Sequence, residues 1–127
     1  MSSDDNKRVI REYFDEVVNK GNLARLEQTT AGKAESLRQA ISMFIAAFPD
    51  ARTSIDDMIA EGDRVVVRST TRATHKGALM GIQPTGRPVR YSGIDIFRLA
   101  DGKIVDHWFV RDHLTLMEQL GVLPKFS

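Results

Sequence analysis

The chain has no cysteine, which excludes disulfides, thiolate nucleophiles and cysteine-bound metals. It has only three histidines, and His75, His107 and His113 fall at neither His-x-His nor His-x₃-His spacing. No metal site is expected from them. P-loop, Ser-centred elbow and dinucleotide fingerprint are all missing, so no cofactor is expected either. No apolar run approaches the length of a membrane span, and the opening MSSDDNKR lacks the basic-then-apolar pattern of a secretory signal. A cytoplasmic protein without a membrane partner is the expectation. Charge of one sign is lacking too: 18 basic and 17 acidic residues are spread along the chain, for a net charge of +1. That balance gives no reason to expect nucleic acid as a partner. Without repeats, linkers or low-complexity tracts, residues 1–127 read as one domain, long enough to bury roughly two-thirds of its unfolded-chain surface. The rest is ordinary for a globular chain, with 42% hydrophobic and 28% charged residues.

What the sequence does have is a hairpin, VRYSGIDIFRLADGKIVDHWFVRD, from Val89 to Asp112. Asp-Gly between two apolar-rich runs is the strongest short-range hairpin signal, because a type I′ turn needs φ > 0 at both central residues. With Asp101 and Gly102 at the centre, Ala100 pairs with Lys103 and the remaining pairs follow by counting outwards. Phe97 then faces Asp106, Asp95 faces Trp108, Gly93 faces Val110 and Tyr91 faces Asp112. Alternation puts these eight on one face, which holds carboxylates, a phenol and an indole as a small-molecule pocket requires. The other face carries Ile94, Ile96, Arg98, Val105, His107 and Phe109. A single β-bulge would exchange the faces beyond it.

Taken in order, Val9, Ile10, Tyr13, Phe14, Val17 and Val18 form one apolar stripe at helical spacing. The stripe predicts a helix over 4–20, ended by Lys20 and Gly21. Asn22 caps a short second helix, and 28–33 reads as a loop. Leu37, Ile41, Phe44, Ile45 and Phe48 mark a third helix stopped by Pro49. Strands are predicted over 52–60 and 64–74, joined at Glu61-Gly62-Asp63. On the second strand, Arg68 and Arg72 read as a solvated face, while Val65 to His75 on the other face are small enough to leave space beneath. Residues 76–88 form a long irregular loop of the kind that often carries function, and Leu114–Leu120 closes the chain as a helix. Helices followed by an antiparallel meander predict an α+β fold, a curved sheet with the helices packed on one face. Ile94, Ile96 and Phe109, with His107 among them, should then be covered by a second copy of the chain.

The segments FPDARTSIDDMIAEGDRVVVR, THKGALMGIQPTGRPV, SGIDIFRLADGKIVDHW and LMEQLGVLP resemble the SnoaL-like polyketide cyclase family. That family is also called the ester cyclases, within the nuclear-transport-factor-type superfamily. The resemblance covers helix 1 and nearly everything from Phe44 to Pro124. It implies an α+β cone, dimeric across its sheet, with a ligand pocket at the wide end and neither metal nor cofactor. It also implies ring closure of a polyketide ester by intramolecular aldol condensation, with Asp112 at the position of the family's key aspartate. Members usually carry a further His- or Asn-containing segment between the second and third helices, where this chain has only QTTAGKAES.

An aldol closure needs one group to remove a proton between carbonyls and one to protonate the new alkoxide. Asp112 suits that role if it faces the hollow; as the residue before Leu114-Thr115-Leu116 it equally suits an N-cap. Asp95 stands in mid-strand, where aspartate is depleted, so it needs a partner: a ligand, the Trp108 indole or His75. His75 is a candidate second acid–base group or simply a solvated strand end. Tyr91, Phe97, Trp108 and Tyr13 are candidate ligand contacts, with core packing as the bland alternative for each. Two functions are therefore expected to compete: a cofactor-independent cyclase or isomerase acting on an apolar oxygenated ligand, and a non-catalytic binding or dimerisation module of the same fold. If Asp112 caps the last helix with no open cavity reaching it, the enzyme reading fails; full activity of Asp112→Asn would move the active-site claim to Asp95.

Overall fold

Ser2 opens the first helix with a capping box: its hydroxyl accepts from the Asp5 N–H while the Asp5 carboxylate accepts from the Ser2 N–H. In the computed structural model, which describes residues 2–31 and 34–123, this helix is α1 (Ser3–Glu12). It runs into a π-helical turn over Tyr13–Val18, marked by the Asn19 N–H reaching back to the Phe14 carbonyl. The predicted helix therefore continues but is not all α. The wider turn buries Tyr13, Phe14 and Val17 together, and such turns recur at functional sites. The second helix, α2 (Leu23–Thr29), is capped by Asn22 and takes in Gln28 and Thr29, which read as loop from sequence. Thr30 instead forms a parallel bridge to Ile104. Gly32 and Lys33, in the short connection, lie outside the described residues, as does Pro124. The third helix, α3, spans Ala34–Ala47.

Four antiparallel strands follow as a meander in the order β1-β2-β3-β4: β1 (Arg52–Glu61), β2 (Arg64–Thr74), β3 (Pro88–Ala100) and β4 (Lys103–Arg111). The final helix, α4 (His113–Gln119), crosses the end of β3. There the Gln119 amide exchanges two hydrogen bonds with the Arg90 backbone, at 2.7 and 2.9 Å. The fold is α+β with a curved sheet, as expected.

Asp101 and Gly102 both have positive φ, and Ala100 pairs with Lys103, so the hairpin turn is the one that Asp-Gly demands. The register then changes. Arg98 pairs with Asp106 but Leu99 with Ile104, leaving Val105 as an extra residue. This bulge exchanges the faces of β4. Phe97 faces His107, Asp95 faces Phe109 and Gly93 faces Arg111, in place of the pairs obtained by simple counting. His107 and Phe109 therefore turn toward the helices, and Trp108 and Val110 turn outwards.

On the concave face, β2 and β3 pair Val65 with Phe97, Val67 with Asp95, Ser69 with Gly93, Thr71 with Tyr91 and Ala73 with Val89. Both ends of this strip are apolar and its middle is small or polar. The core divides accordingly. Ile10, Phe14, Val17, Leu26, Leu37 and Phe97 belong to one buried cluster. Ala47, Phe48, Tyr91, Leu116 and Leu120 belong to another. Between the two lies a hollow.

Candidate functional site

The hollow is a cavity of about 350 Å³, within the range of small-molecule sites. Phe14, Ile41, Phe44, Phe48, Leu79 and Leu116 supply apolar wall, from the π turn, α3, the 76–88 loop and α4. Tyr13, Thr53, Ser69, Thr71, Tyr91, Asp95, His107 and Arg111 bring polar atoms to the same space.

Asp95 is the centre of that polar set and is only 2% exposed. Its Oδ1 accepts from Arg111 Nη1 at 2.9 Å and its Oδ2 from Arg111 Nη2 at 3.0 Å. Oδ2 also lies 2.6 Å from His107 Nε2. Burial pushes the carboxyl up, but the hydrogen bonds from His107 and Arg111 and their charges outweigh it and hold Asp95 below the usual carboxylate range. An ionised Asp95 can only accept, so Nε2 of His107 carries the proton on that side. Its Nδ1 has no protein partner among the described residues. The imidazole is held between two rings, stacked on Phe97 at 4.6 Å and on Phe109 at 5.1 Å. Arg111 in turn lies over Phe109, 4.8 Å from its centroid. Orientation of His107 is thus fixed at its edge by Asp95 and on both faces by aromatic rings.

Gly93 is what lets Arg111 reach inward. A Cβ there would stand 2.6 Å from Arg111 Cδ and 2.8 Å from Nη1. Gly93→Ala is therefore expected to push the guanidinium off Asp95, and also to displace β4 locally, since the same Cβ would stand 2.9 Å from the Val110 carbonyl oxygen. Loss of the Arg111 side-chain N–H signals from slow exchange in NMR spectra would show it; unchanged signals would mean that the side chain has room to move.

Two phenols complete the wall. Burial and the Asp95 charge raise Tyr13 far above the ordinary range, against a smaller lowering by Arg111. Burial pushes Tyr91 up to about 12. Both stay protonated at any pH where the fold operates, so they serve as hydrogen-bond donors and not as bases. Tyr13 lines the cavity, and its hydroxyl makes no hydrogen bond within the described residues.

The residues singled out from sequence are placed unevenly. Tyr13, Tyr91 and Asp95 line the cavity. Phe97 lies beneath it, under the His107 ring. Trp108 is on the outer face, 46% exposed with Arg64 stacked over it at 5.2 Å, because the Val105 bulge turned it away. Asp112 caps α4: Oδ1 accepts from the Thr115 N–H at 3.1 Å and Oδ2 from the Thr115 hydroxyl at 2.7 Å. Those bonds lower its pKa, and its exposed carboxylate is not part of the cavity lining, although Arg111 and His113 on either side are. His75 is fully buried, outside the lining. Its Nδ1 accepts from the Thr85 N–H at 3.1 Å, so it pins the 76–88 loop and is neither a pocket donor nor a solvated strand end. Counting from the turn without a bulge puts His107 and Phe109 on the outer face and gives Arg111 no role; the structure brings all three to the cavity.

The model of the SnoaL-like polyketide cyclase family matches residues 5–120. The chain belongs to that family. Among solved structures it is similar to AclR of Streptomyces galilaeus, a proposed hydroxylase, with 30% identity and a TM-score of 0.88 over 99% of this chain and 87% of AclR. TsrD of Streptomyces laurentii has 27% identity and a TM-score of 0.88, over 97% and 99% of the two chains. IdmH of Streptomyces antibioticus, a proposed polyketide cyclase, has 29% identity and a TM-score of 0.80, over 92% and 99%. No protein of curated function matches. Among the described residues, no helix is long and apolar enough to cross a membrane.

Proposed function

We propose that this SnoaL-like chain is a cofactor-independent acid–base enzyme of the cyclase or isomerase kind, acting on a small apolar ligand with neighbouring carbonyls. The observation that carries the proposal is the buried Asp95–His107–Arg111 group in the wall of an otherwise apolar cavity. Asp95 itself is a poor base, because three hydrogen bonds stabilise its ionised form. His107 is the better one. With Nε2–H given to Asp95, its Nδ1 takes the proton from the carbon between two carbonyls. The carbanion attacks a third, more distant carbonyl carbon of the same molecule, forming the ring bond, and the resulting alkoxide takes the proton back from the imidazolium. Asp95 stabilises that imidazolium and fixes the tautomer, the role a carboxylate plays behind a catalytic histidine. Tyr13 and Tyr91, held protonated, donate to the oxygen on which charge develops. Proton and bond changes cancel, so the product is an isomer of the substrate.

The experiment follows from that balance. Oxo-esters of polyketide type are incubated with the protein and separated by liquid chromatography with mass detection. A new peak of unchanged mass is expected with the wild-type chain and with Asp112→Asn, and none with His107→Gln. Compounds that bind in the cavity yet persist unchanged would favour the second reading, a non-catalytic small-molecule-binding module. One observation supports that reading: both Asp95 oxygens are already saturated by protein donors, as in a purely structural buried pair. Asp112→Ala should lower the melting temperature through loss of the cap without affecting any turnover.

We also propose a homodimer through the outer sheet face. The patch keeps Ile94 and Ile96 of the face expected from sequence but not His107 and Phe109, which point inward. It consists of the cross-strand neighbours Ile59, Val66, Ile96 and Trp108, with Ile94 beside Val110. Val110 is 67% and Ile59 65% exposed, an apolar surface that a second copy would remove from water. Light scattering should give twice the mass of one chain, and Trp108→Glu should halve it. A wild-type monomer at micromolar concentration would contradict the dimer.

A further inference from the structure

The sheet carries seven arginines, and the structure sorts them into two kinds. Arg64, Arg68, Arg98 and Arg111 each pair with an aspartate. Arg52, Arg72 and Arg90 do not: among the described residues no carboxylate reaches ion-pair distance of any of them. Asp15 and Glu16 share a shallow surface cleft with Arg52 and Arg72, but Glu16 is taken by Lys20. Asp50, at the same end of the sheet, is bonded to the Thr74 N–H. The three are direct cross-strand neighbours, Arg52 opposite Arg72 and Arg72 opposite Arg90, and all are exposed. Like charges directly opposite one another destabilise a sheet. This row therefore weakens the fold, and among the described residues no carboxylate at ion-pair distance offsets it; Asp15 shares the cleft of Arg52 and Arg72 without an ion pair to either.

We infer that the Arg52–Arg72–Arg90 row is a docking surface for the acidic face of a helix on a partner protein. Geometry selects that occupant. Adjacent strands are ~4.8 Å apart, so the three arginines span about 10 Å in a straight line. Acids at i, i+4 and i+7 of an α-helix span about 10.5 Å along one face. A lone phosphate would find no cradle here. Backbone groups of the two inner strands are consumed by pairing. The next row offers Ser54, Thr70 and Ser92; the first two hydroxyls are already bonded to the Thr70 carbonyl and to Asp56, and the Ser92 hydroxyl by itself makes no cradle. The row is separated from the proposed dimer patch, whose nearest member, Ile94, is four residues, roughly 13 Å, along β3 from Arg90. This inference is independent of the catalytic one, and either can fail alone.

The test is an amide NMR titration of the full chain at roughly 0.15 M ionic strength. The probe is an alanine-rich helical peptide carrying Glu at i, i+4 and i+7, and its control carries Gln instead. Shifts are expected at the amides of residues 52–54, 70–73 and 90–92, with saturable binding. Affinity should fall about tenfold for the Gln peptide, the sum expected from three exposed ion pairs, and by a similar factor for Arg72→Glu, which loses the central pair and sets a carboxylate against the peptide's own. Arg72→Gln should bind more weakly yet melt no lower than wild type, since it relieves repulsion. Shifts scattered over Arg8, Arg11 and Lys103 as well, or binding untouched by Arg72→Glu, would overturn the inference. Tighter binding of pyrophosphate or of anionic phospholipid vesicles than of the peptide at the same row would overturn the choice of a protein partner.

Discussion

Arg111→Met is expected to lower stability by about 3 kcal/mol, the low end for breaking a buried charge pair, because it strips away the guanidinium and leaves Asp95 held by His107 alone. At several degrees per kcal/mol for a chain of this size, the melting temperature should drop by roughly 10–15 °C. Asp95 is 2% exposed and accepts two of its hydrogen bonds from Arg111. Pairing Arg111→Met with Asp95→Leu should recover much of the loss, since the charge whose burial is costly is gone as well. Calorimetry on the single and double variants decides it. A single variant that melts with the wild type would mean that water already reaches the pair. The same pair predicts an acid limb. The Asp95 pKa is lowered on folding from its ordinary 3.8, so its contribution to stability is fully present above that value. It is lost as pH falls from there through the lower folded-state pKa. Asp95→Asn should remove that part of the acid destabilisation and leave the neutral-pH limb to other groups.

His107→Gln is the second large effect. Removing a positioned general base costs about 10²–10⁴-fold in kcat, and glutamine keeps a donor for Asp95 and most of the volume between Phe97 and Phe109. Turnover should therefore fall by that factor while the melting temperature moves by only a few degrees. Asp95→Asn should also slow turnover, because an amide offers His107 either an acceptor or a donor and no longer fixes its tautomer. A His107→Gln variant with full turnover would move the base elsewhere in the cavity.

These effects depend on a register that the sequence did not disclose. The order of helices and strands, the Asp101-Gly102 turn and the Asn22 and Asp112 caps are all written in local residue chemistry, and each is read without knowledge of the tertiary fold. The bulge at Val105 is not. Ile104, Val105, Trp108, Phe109 and Val110 make both faces of β4 apolar, so alternation carries no record of a one-residue slip. That slip moved Trp108 out of the cavity and His107 into it. A usable signal was nonetheless present. An aspartate buried in mid-strand requires cations, and His107 and Arg111 share one face of β4. Only the slipped register brings both to Asp95, whereas simple counting leaves it opposite an indole. Gly93 was a second signal, because a glycine inside a strand often marks a close approach, in this case by Arg111. For His75, sequence offered exposure or a pocket. Its burial against Phe48, 6.0 Å between ring centres, depends on how the 76–88 loop folds back, which no local pattern records.

Abstraction of a carbon-bound proton by His107 is most directly tested by deuterium exchange into a small enolisable bicyclic ketone such as 2-tetralone, followed by proton NMR in D₂O. The wild-type chain and Asp112→Asn should both accelerate loss of the α-proton signals over buffer. His107→Gln and Asp95→Asn should not. Equal acceleration by His107→Gln, or acceleration that disappears only in Asp112→Asn, would contradict it.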